Sequence, residues 1–288
     1  MDFTLYWFMF PVAVCVATAA MLSGIGGAAL FTPIFILGFP LLGPEYPLQN
    51  TVAAIGTALL TETFGFTSGF FGYYRRRLID FHLVRRFVVI AVPIAIVGAF
   101  VAHLVAEPVL IAGYAILVLI IAAVHLFVAG GAVVDGPHGA TVTLTDIDGN
   151  QYHYQRPRLT ATDSVATGIG SFMTGMLSVG IGEVIVPQLT KRGVPVAVAV
   201  AAAVTIVIIT VACASFTLVG QVVAAGGWSA VPWNLVCYSI PGVLIGGQIG
   251  PRLQGRVPQR SMEYGIAALF VVLAIAMLIV AAQRASVG

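Results

Sequence analysis

Apolar residues fall along this chain in blocks of about 20, the length at which an α-helix crosses the roughly 30 Å hydrocarbon core of a bilayer. The blocks lie at 5–37, 49–72, 84–104, 107–129, 164–190, 194–220, 232–254 and 261–283, and polar or Pro/Gly-containing links separate most of them. Two blocks are irregular. Residues 5–37 are too long for one ordinary span and are interrupted by Ser23-Gly24-Ile25-Gly26-Gly27, and residues 164–190 are interrupted by Ser178-Val179-Gly180-Ile181-Gly182. Each predicts two half-helices joined at a glycine-rich break.

Between the fourth and fifth blocks lies a long polar segment, 130–162, carrying Asp135, His138, Asp146, Asp148, His153, Arg156 and Arg158. Thr141-Val142-Thr143-Leu144-Thr145 alternates polar and apolar, Asp148-Gly149 is a turn signal, and Tyr152-His153-Tyr154 suits a return strand, so a β-hairpin in water is expected. Its two histidines read as solvent-facing strand residues, because no Cys or Glu completes a metal ligand set.

The two flanks of this segment repeat. Met21-Leu22-Ser23 before Gly24-Ile25-Gly26 echoes Met176-Leu177-Ser178 before Gly180-Ile181-Gly182, and Pro33 matches Pro187. At a constant offset of 148, Pro47 aligns with Pro195, Thr57 with Thr205, Gly72 with Gly220, Pro93 with Pro241 and Gly98 with Gly246. Such duplication marks transporters more than enzymes. It divides the chain into a first membrane repeat (1–129), a polar cytoplasmic insertion (130–162) and a second membrane repeat (163–288).

Composition narrows the class. With 59% hydrophobic and 8% charged side chains, the 288 residues exclude disorder and a soluble enzyme core. Only 13 Lys/Arg stand against 11 Asp/Glu, and no basic stretch follows a phosphate backbone, so nucleic acid is not a partner. Cys15, Cys213 and Cys237 all sit in apolar runs and read as small buried hydrophobes. The start of the chain lacks the basic n-region of a signal peptide, so the first block is expected to be retained.

The distribution of basic residues selects a topology. If both irregular blocks cross once, with the N-terminus inside, eight basic residues lie in the cytoplasm and five outside. If both are re-entrant hairpins, six full spans remain, both termini lie outside, and twelve of the thirteen are cytoplasmic. The second model is preferred, and it makes the halves inverted repeats. The expected fold is therefore an all-α polytopic membrane protein of two inverted repeats, each a re-entrant helical hairpin plus three transmembrane helices.

Backbone that leaves the helix at membrane depth needs protein or a wet cavity to satisfy its polar groups. Half-helices starting at 28–37 and 183–190 would aim free N–H groups and the positive end of their dipoles into such a cavity, an arrangement that suits an anion. The candidate binding residues are Ser23, Gly24, Ile25, Gly26, Gly27, Ser178, Val179, Gly180, Ile181 and Gly182, with Asn50, Thr57 and Thr205 as polar lining and Thr61, Gln188 and Thr210 as further candidates. A helix kink without a ligand is the competing explanation; breaks at corresponding positions in both halves favour the ligand. Glu62, mid-block, and Glu183, beside the second break, are candidates for proton coupling, since an acid at that depth is costly and suited to proton exchange; fixing helix packing is the alternative for each. No metal site and no cofactor is expected.

These residues resemble the sulfite exporter TauE/SafE family, also described as toluene-sulfonate uptake permeases. The likeness rests on Gly24-Ile25-Gly26-Gly27 with Pro33, on Gly180-Ile181-Gly182 with Pro187, and on Ala54-Ile55-Gly56-Thr57-Ala58. The resemblance implies proton-driven export of sulfur-containing anions such as sulfite, sulfoacetate or other organosulfonates across the cytoplasmic membrane. A passive anion channel is the rival function, and an intramembrane enzyme finds no Ser/His/Asp spacing or HExxH motif to support it. Beyond a small anionic substrate and the lipid bilayer, a homo-oligomer is left open.

Overall fold

The computed structural model describes residues 4–44, 46, 48, 50–127, 138–254, 256 and 259–287. Asp135 of the polar segment, Pro47 of the repeat and the domain boundary at 129/130 lie outside the described residues.

Both irregular blocks are broken by a residue in the left-handed region. Helix α1 (Met9–Ser23) stops at Gly24, φ 72°, whose N–H closes on Ala20 O at 2.8 Å. Helix α7 (Ala161–Leu177) stops at Ser178, φ 66°, whose N–H closes on Thr174 O at 2.9 Å. Glycine takes this conformation freely, whereas serine does so against a steric penalty. After the first break come α2 (Ala28–Pro33), a π-helical turn at Ile34–Gly38 and α3 (Phe39–Leu42). Pro33 has no N–H to give the helix, and the looser turn follows it. After the second break comes α8 (Ile181–Lys191).

Three helices start at side-chain caps and two follow prolines. Asn50 caps α4 (Thr51–Arg75) through Ala53 N–H, Asp80 caps α5 (Phe81–Ala102), and Thr160 with Asp163 forms a reciprocal box on α7. Pro195 and Pro232 precede α9 (Val196–Gly226) and α10 (Trp233–Leu253). Helices α6 (Glu107–Phe127) and α11 (Gln259–Val287) complete the set. Among the described residues, four helical stretches are long and apolar enough to cross a membrane: Phe81–Ala102, Glu107–Val124, Val196–Gly226 and Tyr264–Gln283. Val89, Val97, Phe100, Ile116, Val272 and Ile275 point outward from them, as a surface bathed in lipid allows.

Glycine decides how the helices approach. A Cβ built on Gly242, Gly246 or Gly250 of α10 would lie 2.5 Å from Phe10 O, 2.4 Å from Val14 O and 2.3 Å from Met21 Cβ, so α1 rides on that smooth face. The contacts rise together along both helices, which therefore run parallel. Helix α4 also runs parallel to α10, with Gly65 against Val243 and Gly72 against Pro251. On the other flank, Gly98 of α5 meets Phe172 O and Gly175 of α7 meets Ala95 O. Exchanging α1 with α7, α4 with α9, α5 with α10 and α6 with α11 preserves the main packings: α1 on α10 becomes α7 on α5, and α4 on α10 becomes α9 on α5.

In the polar segment, β1 (His138–Thr145) and β2 (Gln151–Pro157) pair antiparallel, with Val142 opposite Tyr154 and Leu144 opposite Tyr152. Asp146 Oδ1 accepts the N–H groups of Asp148 at 2.9 Å and Asn150 at 2.8 Å, which closes the turn. His153 Nδ1 meets Thr143 Oγ1 at 2.8 Å on the exposed face, and no cluster of metal-ligating side chains occurs among the described residues. The hairpin is docked through Arg156 and Tyr154 on Asp80, and through Arg76, which also donates to Pro251 O, on Asp148.

Candidate functional site

Glu183 enters the site from the first turn of α8. Its Oε2 accepts the N–H of Gly180 at 2.9 Å and its Oε1 accepts the N–H of Gly26 at 3.2 Å. One carboxylate thus holds the free amides of both breaks. The backbones are close enough for this because neither has a side chain in the way: a Cβ on Gly182 would lie 2.6 Å from Gly24 O and 3.1 Å from Gly26 N.

Glu62 of α4 reaches the same point. A Cβ on Gly26 would be 3.1 Å from Glu62 Oε1 and 3.6 Å from Glu183 Oε1, so the two carboxylates flank one glycine. Glu62 is 1% exposed, and the amides of Gly27 and Ala28 approach its carboxylate without reaching ordinary hydrogen-bond geometry; the neighbouring Thr61 hydroxyl is buried without a partner. Gly27 stands next, 4.0 Å from Glu62 Oε1 by the same construction. Two acids side by side in an apolar interior can carry and pass a proton, and amides from two elements can hold an oxyanion.

Hydroxyls tie the breaks together. Thr32 Oγ1 and Ser178 Oγ lie 2.6 Å apart, and Thr174 Oγ1 accepts the N–H of Ile181 at 2.7 Å. Ser23 Oγ donates back to Ala19 O at 2.9 Å and accepts from Ile25 N at 3.4 Å. Ile25, Val179 and Ile181 are buried and pack the site from behind.

Three other candidates bond within their own helices. Thr57, Thr205 and Thr210 each donate to the carbonyl four residues earlier in their own helix, at 2.7, 2.8 and 2.8 Å. Asn50, besides capping α4, lines a separate hollow of about 310 Å³ with Tyr46, Thr51 and Glu107. Gln188 lines a cleft of about 480 Å³ between α6, α7 and α8. That cleft extends from Lys191 and Arg192 to Gly180 and Glu183, past apolar walls that include Leu117, Ile121, Met173 and Val184. At its basic end Arg192 pairs with Asp163 at 3.0 Å, and the buried amide nitrogen of Gln188 faces the same carboxylate.

Sequence reasoning missed Tyr114, Thr32 and Thr174. The Tyr114 hydroxyl, buried in α6, donates to Ala29 O just past the first break, and it is close enough to both glutamates to interact with their charge. Each of the three is a polar residue inside an apolar block, and that is the signal the sequence offers.

No curated protein and no solved structure matches the chain. The family model described as sulfite exporter TauE/SafE matches residues 9–277, from the first residue of α1 to well inside α11. With paired helix breaks, apolar spanning helices and a match over nearly its whole length, the chain belongs to the TauE/SafE sulfite exporter family of membrane transporters.

Proposed function

We propose that the protein is a secondary transporter that exports small sulfur-containing anions, such as sulfite, sulfoacetate or other organosulfonates, across the cytoplasmic membrane with proton coupling. The observation that carries this reading is the convergence of the Gly26 and Gly180 amides on one carboxylate. Backbone donors from two broken segments already grip an oxyanion there, with a second acid beside it.

The two halves, 1–129 and 163–288, act as inverted repeats. Support comes from helix direction: α1 and α4 run parallel to α10, whereas α7, with Gly168 against Ile94 and Gly175 against Ala95 and Ala99, runs parallel to α5, which returns from α4 through the short link Arg76–Asp80. Equivalent helices α1 and α7 then point in opposite senses. Each break forms a re-entrant hairpin. In the second, Thr167 meets Gln188, Gly170 meets Val184 and Thr174 meets Ile181, so α8 doubles back along α7. In the first, Ala20 meets Gly27 while Tyr6 and Phe8 meet Phe39. Both termini lie outside and the polar insertion lies in the cytoplasm. Alternating access rocks one half against the other around Gly26 and Gly180.

Flux into proteoliposomes tests this reading directly, with sulfite, sulfoacetate, thiosulfate and sulfate compared with and without an imposed pH gradient. Uphill accumulation of a sulfur anion driven by the gradient is expected. Downhill flux alone would make the protein a channel, and flux no greater than in protein-free vesicles would overturn the function.

A further inference from the structure

Resting on the reading above, we infer that the Glu183 carboxylate is a tethered competitor for the transported anion: it occupies the two backbone amides that the anion uses, and its protonation frees them.

The geometry distinguishes this from ordinary helix capping. A glutamate in the first turn of α8 that only capped its helix would satisfy Gly180 N–H, as Glu183 Oε2 does at 2.9 Å. The second oxygen instead accepts Gly26 N–H at 3.2 Å, from a residue 157 positions away in the other half. The bridge therefore spans the two elements whose separation opens the site. An incoming anion needs those same donors, so it and the ionised carboxylate exclude each other.

Charge reinforces the exclusion. Glu62, buried beside the Gly27 and Ala28 amides, faces the same glycine, so an anion entering beside two ionised acids would meet negative charge on both sides. The other elements packed around Glu183 bring little to offset it. From α6 comes Tyr114, from α7 the Thr174 hydroxyl, and α9 carries no Asp, Glu, Lys, Arg or His. The remaining charges, Asp163 with Arg192 and then Lys191, stand at the far end of the cleft. Protonation of Glu183 removes one charge and weakens its hold on both amides, and the cleft that reaches Gly180 and Glu183 gives the side chain room to withdraw. The ligand class follows from what the site already holds: an oxyanion group presenting two acceptor oxygens, as sulfonate, sulfite and carboxylate all do.

Equilibrium binding of radiolabelled methanesulfonate to the full chain in nanodiscs tests the inference, because the sulfonate keeps its charge across the working range and pH then acts on the protein alone. Wild-type affinity is expected to fall as pH rises from 5 to 9, approaching about tenfold per unit where one proton is exchanged per anion. Glu183→Gln, which keeps an acceptor but no titratable proton, should flatten this slope, and Glu183→Ala should bind at high pH at least as tightly as wild type binds at low pH. Retention of the wild-type slope in Glu183→Gln overturns the inference alone. Wild-type protein that binds neither methanesulfonate nor sulfite at any pH defeats the transport reading and the inference together.

Discussion

Asp80 and Arg156 meet at 2.6 Å across 76 positions of sequence, and the pair fastens the β-hairpin to the start of α5. Burial alone would raise the Asp80 carboxyl, but hydrogen bonds from Arg156 and Tyr154 outweigh it and hold the group below its ordinary 3.8. A depressed folded-state value means that this contribution is present above that ordinary value and is lost as pH falls through the lower folded one. Asp80→Asn should therefore cost about 1–3 kcal/mol and remove the acid sensitivity of hairpin docking. Limited proteolysis of residues 138–157 as a function of pH checks it; identical cleavage of wild type and variant would refute it.

Close approach of α5 and α7 depends on absent side chains. A Cβ on Gly175 would fall 1.9 Å from Ala95 O, and one on Gly98 would fall 2.2 Å from Phe172 O. Either alanine variant should lose about 1–3 kcal/mol through forced separation of the helices. Gly220→Ala, where nothing lies within 4 Å, serves as the control and should melt like wild type or higher. Thermal unfolding in detergent distinguishes them.

Thr32 and Ser178 couple the breaks through one hydroxyl pair. A double-mutant cycle with Thr32→Val and Ser178→Ala should give a coupling energy of about 1 kcal/mol. A value near zero would mean that the two hydroxyls serve their own segments independently. Ser178→Gly adds a second reading: it loses the hydroxyl but relieves the left-handed backbone at φ 66°, so it should be less damaging than Ser178→Ala.

Glu62→Gln removes a buried acid that faces the Gly27 and Ala28 amides. Because the amide keeps the shape of the side chain, folding should be little changed, while transport driven by a pH gradient should decline much more than exchange at equal pH. Unaltered gradient-driven flux in both this variant and Glu183→Gln would dismiss proton coupling through either acid.

Much of the helical framework is written in local pattern. The apolar blocks become helices within a few residues of their expected limits, and both glycine clusters stop a helix, because left-handed caps and span lengths are properties of short segments. The turn at Asp146–Asn150 and its flanking strands are legible for the same reason. What local pattern does not carry is which distant groups meet. Nothing within ten residues of Glu183 indicates that its second oxygen takes an amide from Gly26, or that Tyr114 reaches Ala29. The π-helical turn after Pro33 and the separation of Asn50 from the breaks likewise arise from how segments pack, not from their own composition.

Helix α9 has 31 residues without a charge. At 1.5 Å per residue it is about 46 Å long, well beyond the ~30 Å of hydrocarbon it crosses. A rod of that length must lean or project, and α9 packs against both α4 and α5 of the other half. Its slope is therefore set jointly by bilayer thickness and by its contacts with α4 and α5, so that acyl-chain length would act as a mechanical input to the rocking motion proposed above.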